Sequence, residues 1–309
     1  MAWVRSLAKD LECVFLSYDE PGADHQWETI RASFPRAHRV HGIKGIDRAH
    51  KACAAAGESD RILIIDGDNT INPNFLQQVV EYDDSKQNEV LSWSALNNVN
   101  GLVYGNGGPK LWPRELLLKL KSHEAAESPE WGVDFCFGVE YRPIPFCASY
   151  LWISGSPHQA LRAGFREGVK FCLERGERPY PPSSLAASAP KGNLSRLLIW
   201  CSIGRDVENG IWCLLGARLG MKLLYSGEIQ AERINDYDWF EKIWAHPELS
   251  SLRNERGDFD ELGADIRTRE LGQWLRRNLG LNLLELEGKE LDFFRQIYVN
   301  PSRTPHLEY

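Results

Sequence analysis

Arg61-Ile62-Leu63-Ile64-Ile65-Asp66-Gly67-Asp68-Asn69-Thr70-Ile71-Asn72-Pro73-Asn74-Phe75-Leu76 opens on an apolar run and stops abruptly at two carboxylates. The β-branched and leucine stretch Ile62 to Ile65 predicts a parallel strand buried on both faces. Asp66 and Asp68 then stand two residues apart at the carboxyl end of that strand, where open α/β sheets bind ligands. Gly67 allows the sharp turn between them. Two neighbouring carboxylates repel unless a divalent cation sits between them and an anionic ligand, so the motif predicts a metal–phosphate site. The competing explanation is a solvated Asp-Gly turn, which the preceding apolar run disfavours.

Working outward, Glu12 to Tyr18 predicts a first strand, Gln26 to Ser33 a short helix and Arg39 to His41 a second strand. Asp47 to Ala56 predicts a helix with Asp47 as N-cap and Gly57 as its stop. Pro73 predicts the start of another, Asn74 to Tyr82. Short buried strands alternating with helices of this length imply βαβ units and a mostly parallel sheet with right-handed crossovers. Further strands are expected at Glu89–Ala95, Gly101–Tyr104 and Ser149–Ser154, with helices from near Arg114, over Pro157–Arg175 and over Ser195–Arg218. The Pro-, Ser- and Ala-rich segment 176–193 predicts a surface loop or lid, and Met221 to Tyr225 a last strand. From about Ala231 the chain turns aromatic and then charged, with amphipathic helices expected near 258–279 and 286–298. The expected organisation is an α/β domain over 1–230 and a mostly helical extension over 231–309.

Composition limits the function classes. The 309 residues carry 43% hydrophobic and 26% charged side chains, ordinary for a globular protein with a sizeable core. Seven cysteines, with no Cys-x-x-Cys pair, predict a reducing compartment and no disulfide framework. The opening MAWVRSLAKD has no secretory core and no window suits a membrane span, so a cytoplasmic, membrane-free protein is expected. A net charge of −7 argues against a protein that is basic all over and coats nucleic acid. The eight histidines have no zinc-ligand spacing, and no Gly-x-Ser-x-Gly elbow occurs. Eleven tryptophans are many for this length; most are expected in the core. The loop Gly105-Asn106-Gly107-Gly108-Pro109 reads first as a plain turn and alternatively as backbone open to a phosphate or sugar, and it lacks the ending of a Walker loop.

Several landmarks occur in order: the polar turn Tyr18-Asp19-Glu20, the segment Lys44-Gly45, the Asp66/Asp68 pair followed by Pro73-Asn74-Phe75-Leu76, Gly155 before a helix, Gly204-Arg205-Asp206, Leu219-Gly220 and Met221–Tyr225. Over roughly 10–240 this series resembles the GT-A fold of nucleotide-sugar glycosyltransferases, particularly its inverting family-two members. The opening Ser17 to Pro21 and the helix Gly164-Phe165-Arg166-Glu167-Gly168 look like a branch encoded by large bacteriophages. Some of those enzymes glycosylate hydroxymethyl-pyrimidines in DNA. The family's Glu-Asp pair is Arg205-Asp206 here, and Asn235, Asp236 and Asp238 lie where its terminal histidine falls.

The resemblance implies transfer of a sugar from a nucleoside diphosphate, UDP above all, to an acceptor hydroxyl with Mn²⁺ or Mg²⁺. Asp68 is expected as a direct metal ligand, Asp66 as a ribose contact or water-bridged ligand, and Asp236 as a third ligand, with Asp238 competing. Tyr18, Asp19, Lys44 and Gly107 are expected to meet the nucleotide. Asp206 is the first candidate for the base, Glu208 the second and Glu167 the third; a carboxylate in that role contributes roughly 10²–10⁴ in rate. The pairs Arg166/Lys170 and Lys110/Arg114 are candidate contacts to a DNA backbone, against the simpler expectation of solvated helix faces. Two rivals stand beside this reading. Asp66-Gly67-Asp68-Asn69-Thr70 also fits the Asp-x-Asp-x-Thr motif of haloacid-dehalogenase-type phosphatases, although two strand–helix units precede it. Alternatively the chain is a non-catalytic nucleotide-sugar-binding module, as Arg205 in place of the family's acid suggests.

Overall fold

A computed structural model describes residues 3–105, 107–254 and 256–298. The chain is α/β and divides into two compact units, Met1–Asn98 with Val103–Trp152, and Val99–Leu102 with Ile153–Tyr309. The expected boundary at 230 falls inside the second unit.

The first unit holds β1 (Trp3–Leu7), β2 (Cys13–Ser17), α1 (Ala23–Ser33), β3 (Ala37–His41), α2 (Ile46–Ala56), β4 (Arg61–Asp66), β5 (Asn69–Ile71), β6 (Val79–Asp83), β7 (Glu89–Asn97), β8 (Val103–Tyr104) and β9 (Lys110–Pro113). Short helices α3 (Arg114–Lys119) and α4 (Pro129–Val133) then lead to β10 (Glu140–Leu151). The main sheet runs β3-β2-β4-β9-β7-β10-β5, with β8 on β7. β4 is buried on both faces, as its sequence requires. Leu63 and Ile65 pack with Phe15 and Ile30 on one side, while Ile62 and Ile64 pack with Val14, Val40 and Trp112 on the other.

The sheet is mixed, which corrects the expectation of a mostly parallel one. β2 is parallel to β3 and β4, and β10 is parallel to β7. Between these groups β9 runs antiparallel to both β4 and β7, and β5 runs antiparallel to β10. β9 follows the glycine loop and is too short to register as a strand in sequence. β10 was legible only at its end, because Pro143 and Pro145 interrupt the pattern; the register shifts there, between Ile144 and Cys147.

The predicted helix Asn74–Tyr82 is absent. Asn72 accepts the Asn74 N–H and starts a single 3₁₀ turn, Pro73–Gln77, after which the chain extends as β6. Val80 and Tyr82 are buried while Val79 and Glu81 are exposed, a period-two pattern that pairs β6 with β1. α2 forms as expected, but Gly45 (φ +99°) is its N-cap, not Asp47. Asp47 turns inward to accept the Ser122 N–H and the Lys51 ammonium.

The second unit is helical: α5 (Pro157–Lys170), α6 (Leu185–Ser188), α7 (Lys191–Ser202), α8 (Gly210–Tyr225), α9 (Tyr237–Lys242), α10 (Glu261–Leu279) and α11 (Lys289–Tyr298). The predicted strand Met221–Tyr225 is the last turn and a half of α8, and the single helix predicted over Ser195–Arg218 is broken between α7 and α8. Gly204 (φ +140°) and Asn209 (φ +57°) make that break. α8 is buried around nearly its whole circumference, so its apolar run has no helical periodicity to distinguish it from a strand. Its Gly216 and Gly220 face α5, whose Gly164 and Gly168 face α8 in return. A Cβ on Gly164 would lie 1.9 Å from the Cys213 carbonyl oxygen, and one on Gly216 2.0 Å from that of Leu161. The two four-residue glycine spacings exist to let these backbones touch. The predicted lid, 176–193, is anchored: Leu185 is buried and the Tyr225 hydroxyl donates to the Tyr180 carbonyl at 3.0 Å.

Candidate functional site

The strand order reverses at β2. The chain goes from β2 to β3 on one side and then to β4 on the other, so a crevice opens at the carboxyl ends of β2 and β4. The segment Tyr18-Asp19-Glu20 leaves β2 there, and Asp66-Gly67-Asp68 leaves β4. Glu20 Oε2 accepts the Tyr18 N–H at 2.7 Å and lies over Gly67. A Cβ at Gly67 would be 2.7 Å from that oxygen and 2.9 Å from Ser17 Cβ, so no side chain fits the turn. Burial first, and then the charges of Asp66 and Asp19, push the Glu20 carboxyl above its usual range.

Asp68 is oriented by a relay. The Asn69 amide donates to Asp68 Oδ1 at 3.0 Å, and the Ser149 hydroxyl donates to Asn69 Oδ1 at 2.5 Å. Asn69 and Ser149 are fully buried, so Asp68 is held from below by polar groups with one geometry available. Among the described residues there is no cluster of three or more His, Cys, Asp or Glu arranged to hold a metal. The donor set that does exist is two hard carboxylates, Asp66 and Asp68, in a locally electronegative crevice. That set fits Mg²⁺ or Mn²⁺ shared with substrate phosphates and water, the way Mg²⁺ usually binds.

The other expected nucleotide contacts are distributed differently. Asp19 and Lys44 are exposed, and Tyr18 is half-buried. The α2 amides beside Lys44-Gly45 are already satisfied, since Glu124 accepts the N–H groups of Asp47 and Arg48 at 3.1 Å each. A carboxylate thus occupies the position a phosphate would take at this helix N-terminus. Gly107 adopts φ +67°, and the glycine loop is pinned by Lys110 Nζ, which donates to the carbonyls of Gly108 at 2.9 Å and Gly105 at 3.3 Å.

In the second unit two of the three expected base candidates, Asp206 and Glu167, have structural partners. Arg295 on α11 forks onto Asp206, 2.7 Å from Oδ1 with a second contact to Oδ2, and also donates to the Val99 carbonyl. Burial opposes the charged form of Asp206, but the guanidinium outweighs it and holds the carboxyl below its usual range. Glu167 is buried in α5 and ion-paired with Lys170 at 2.8 Å, which removes it from contact with an acceptor. Glu208 is exposed in the turn before α8. Asp236 is the N-cap of α9, accepting the Trp239 N–H at 2.9 Å, and pairs with Arg233 at 2.7 Å. Asp238 is exposed in the first turn of that helix. Arg205 is held in an ion cluster, bonded to Asp265 at 2.7 Å and Glu285 at 2.6 Å. Arg114 donates to the Ala54 carbonyl at 2.7 Å, so with Lys110 and Lys170 three of the four predicted backbone-binding cations serve the fold.

Sequence reasoning missed Glu20, Asn69, Ser149 and Glu124, whose roles depend on contacts between distant segments. No protein-family model matches the chain, and no curated protein matches it.

Proposed function

We propose that the first unit binds a nucleoside diphosphate-sugar with a divalent cation and that the protein is a glycosyltransferase of GT-A type. The observation that carries this reading is the placement of Asp66 and Asp68, with Glu20 and Asp19, at the reversal of strand order between β2 and β4. A dense group of carboxylates there is costly by itself and becomes favourable around a cation. Asp66 and Asp68 would hold Mg²⁺ or Mn²⁺, which when bound neutralises charge on a departing diphosphate. The chain's own contribution is orientation: the Ser149–Asn69 relay fixes Asp68, and Gly67 keeps the turn tight enough for both carboxylates to face the crevice. Tyr18 and Asp19 stand at the β2 edge of the same crevice, in reach of a base or ribose.

Glu208 is the base candidate whose carboxylate has no structural assignment here. A second reading, a binding module without transfer, is favoured by one observation: Arg295 engages both oxygens of Asp206. The test is a titration calorimetry panel of UDP, GDP, CDP and TDP with Mn²⁺ and again with EDTA. One diphosphate binding only with metal, and losing at least about tenfold in Asp68→Asn, supports the donor site. Binding that ignores both EDTA and Asp68→Asn refutes it. Sugar release from the bound UDP-sugar by the wild-type chain separates the two readings: turnover supports the transferase, and binding without release supports the module.

A further inference from the structure

The β5–β10 ladder beside Asp68 has an outward face. β5 and β10 pair antiparallel with Ile71 opposite Ser149, Thr70 opposite Tyr150 and Asn69 opposite Leu151. The ladder runs one step further, since the Trp152 N–H donates to the Asp68 carbonyl at 2.8 Å and so sets Trp152 opposite Asp68. Alternation then sorts the side chains. Asn69, Ile71, Ser149 and Leu151 are buried, whereas Tyr150 is 38% and Trp152 52% exposed. Asp68, Thr70, Tyr150 and Trp152 therefore share the outer face, and Trp152 is the direct cross-strand neighbour of the candidate metal ligand.

Trp152 is not loosely exposed. Its Nε1–H donates to Thr70 Oγ1 at 3.0 Å, so the indole's one polar group is satisfied within the protein and the ring is fixed. What remains toward solvent is a flat apolar surface with Tyr150 two residues along the same face. Asp68, Asp66, Asp19 and Glu20 make the adjoining surface electronegative, which disfavours a polyphosphate strand laid directly on it and does not oppose an uncharged ring.

From this the geometry points to a sugar-stacking platform: Trp152, positioned by Thr70 and flanked by Tyr150, receives the apolar face of a hexose ring beside Asp68. The assignment rests on the donor-site reading and names the part of the substrate that meets this face. The ring belongs either to the donor or to a saccharide acceptor, two sources of one chemistry.

The experiment is calorimetry or saturation-transfer NMR in Mn²⁺ on wild type, Trp152→Ala and Thr70→Val. The probes are UDP, the UDP conjugates of glucose, galactose and N-acetylglucosamine, their methyl glycosides, and a single-stranded oligodeoxynucleotide. Trp152→Ala is expected to weaken at least one sugar-bearing probe about tenfold more than UDP, the size of one lost stacking contact. Thr70→Val, which frees the indole without removing it, gives a smaller loss of the same sign. Loss confined to a UDP-sugar assigns the platform to the donor, and loss of a methyl glycoside assigns it to the acceptor. The proposal is overturned if no sugar-bearing probe binds wild type, if all bind Trp152→Ala as they bind wild type, or if the oligonucleotide alone depends on Trp152. UDP failing to bind while a glycoside binds through Trp152 would refute the donor site and leave the platform standing.

Discussion

Gly164→Ala opposes two effects of opposite sign in one residue. Within a helix, alanine for glycine stabilises by about 1 kcal/mol through reduced backbone entropy in the unfolded chain. In α5, however, the new methyl would sit 1.9 Å from the Cys213 carbonyl oxygen, 2.8 Å from its carbon and 3.1 Å from the Ala217 nitrogen, all backbone atoms of α8. Neither helix has a flexible side chain there to move aside, so the axes must part by about 1 Å, which forfeits roughly a quarter to a half of the dispersion energy across the seam. Overpacking of this kind costs about 1–3 kcal/mol and more where backbone resists, so the net loss is expected at about 2–4 kcal/mol. For a unit of this size that lowers Tm by about 5–15 °C. The control is Gly192→Ala in α7, where a Cβ meets nothing within 4 Å. Differential scanning calorimetry on the full chain should show the control unchanged or up by a few degrees and Gly164→Ala clearly down. If Gly164→Ala matched the control, close backbone approach would not be what holds α5 to α8.

Glu12 is buried at the amino end of β2 and accepts the N–H groups of Ser59 at 2.6 Å and Glu58 at 3.0 Å. Burial disfavours its charged form, but the two amides and Arg36 outweigh burial and hold the carboxyl below its usual range. A depressed folded pKa stabilises above the unfolded value of about 4.3 and that contribution fades as pH falls through the folded one. Glu12→Gln is therefore expected to cost about 1–3 kcal/mol at pH 7 in urea unfolding, with the gap to wild type closing below about pH 4; a gap that widened in acid would refute this. Arg205→Glu restores the acid found in the resembled family, yet it leaves Asp265 and Glu285 facing a third carboxylate at a site where the arginine is only 9% exposed. Loss of about 3–5 kcal/mol, seen as a lower urea midpoint, is expected, and gain of activity with unchanged stability would show that the ion cluster is dispensable.

The first unit was legible where local pattern and tertiary role coincide. Ile62 to Ile65 is apolar at every position because both faces of β4 are covered, and Asp66 ends it because the strand meets solvent there. β6 was misread because Pro73 signals a helix start equally well for one 3₁₀ turn and for three α turns, and only pairing with β1 decides. Glu124 illustrates a deeper limit: it satisfies the α2 amides from 76 residues away, and no propensity at Asp47 reports that. Trp152 was one tryptophan among eleven until the β5–β10 register set it opposite Asp68.

The corrections fall unevenly on the family resemblance. In the first unit the polar turn follows β2 and the carboxylates follow β4, but the amides after Lys44-Gly45 are taken by Glu124 and Pro73-Asn74-Phe75-Leu76 lies in a single 3₁₀ turn. Its landmarks over 204–225 do not keep their places, because Leu219-Gly220 serves the α5 seam and Met221–Tyr225 continues the helix. Gly204-Arg205-Asp206 is likewise accounted for by local needs: a left-handed turn, a partly buried ion cluster and a bidentate partner for Arg295. Each of these residues has a place in the packing, whereas Asp66 and Asp68 close β4 and Trp152, 52% exposed, stands opposite Asp68 across the β5–β10 ladder. That contrast is why the calorimetric tests proposed above begin with Asp68→Asn and Trp152→Ala.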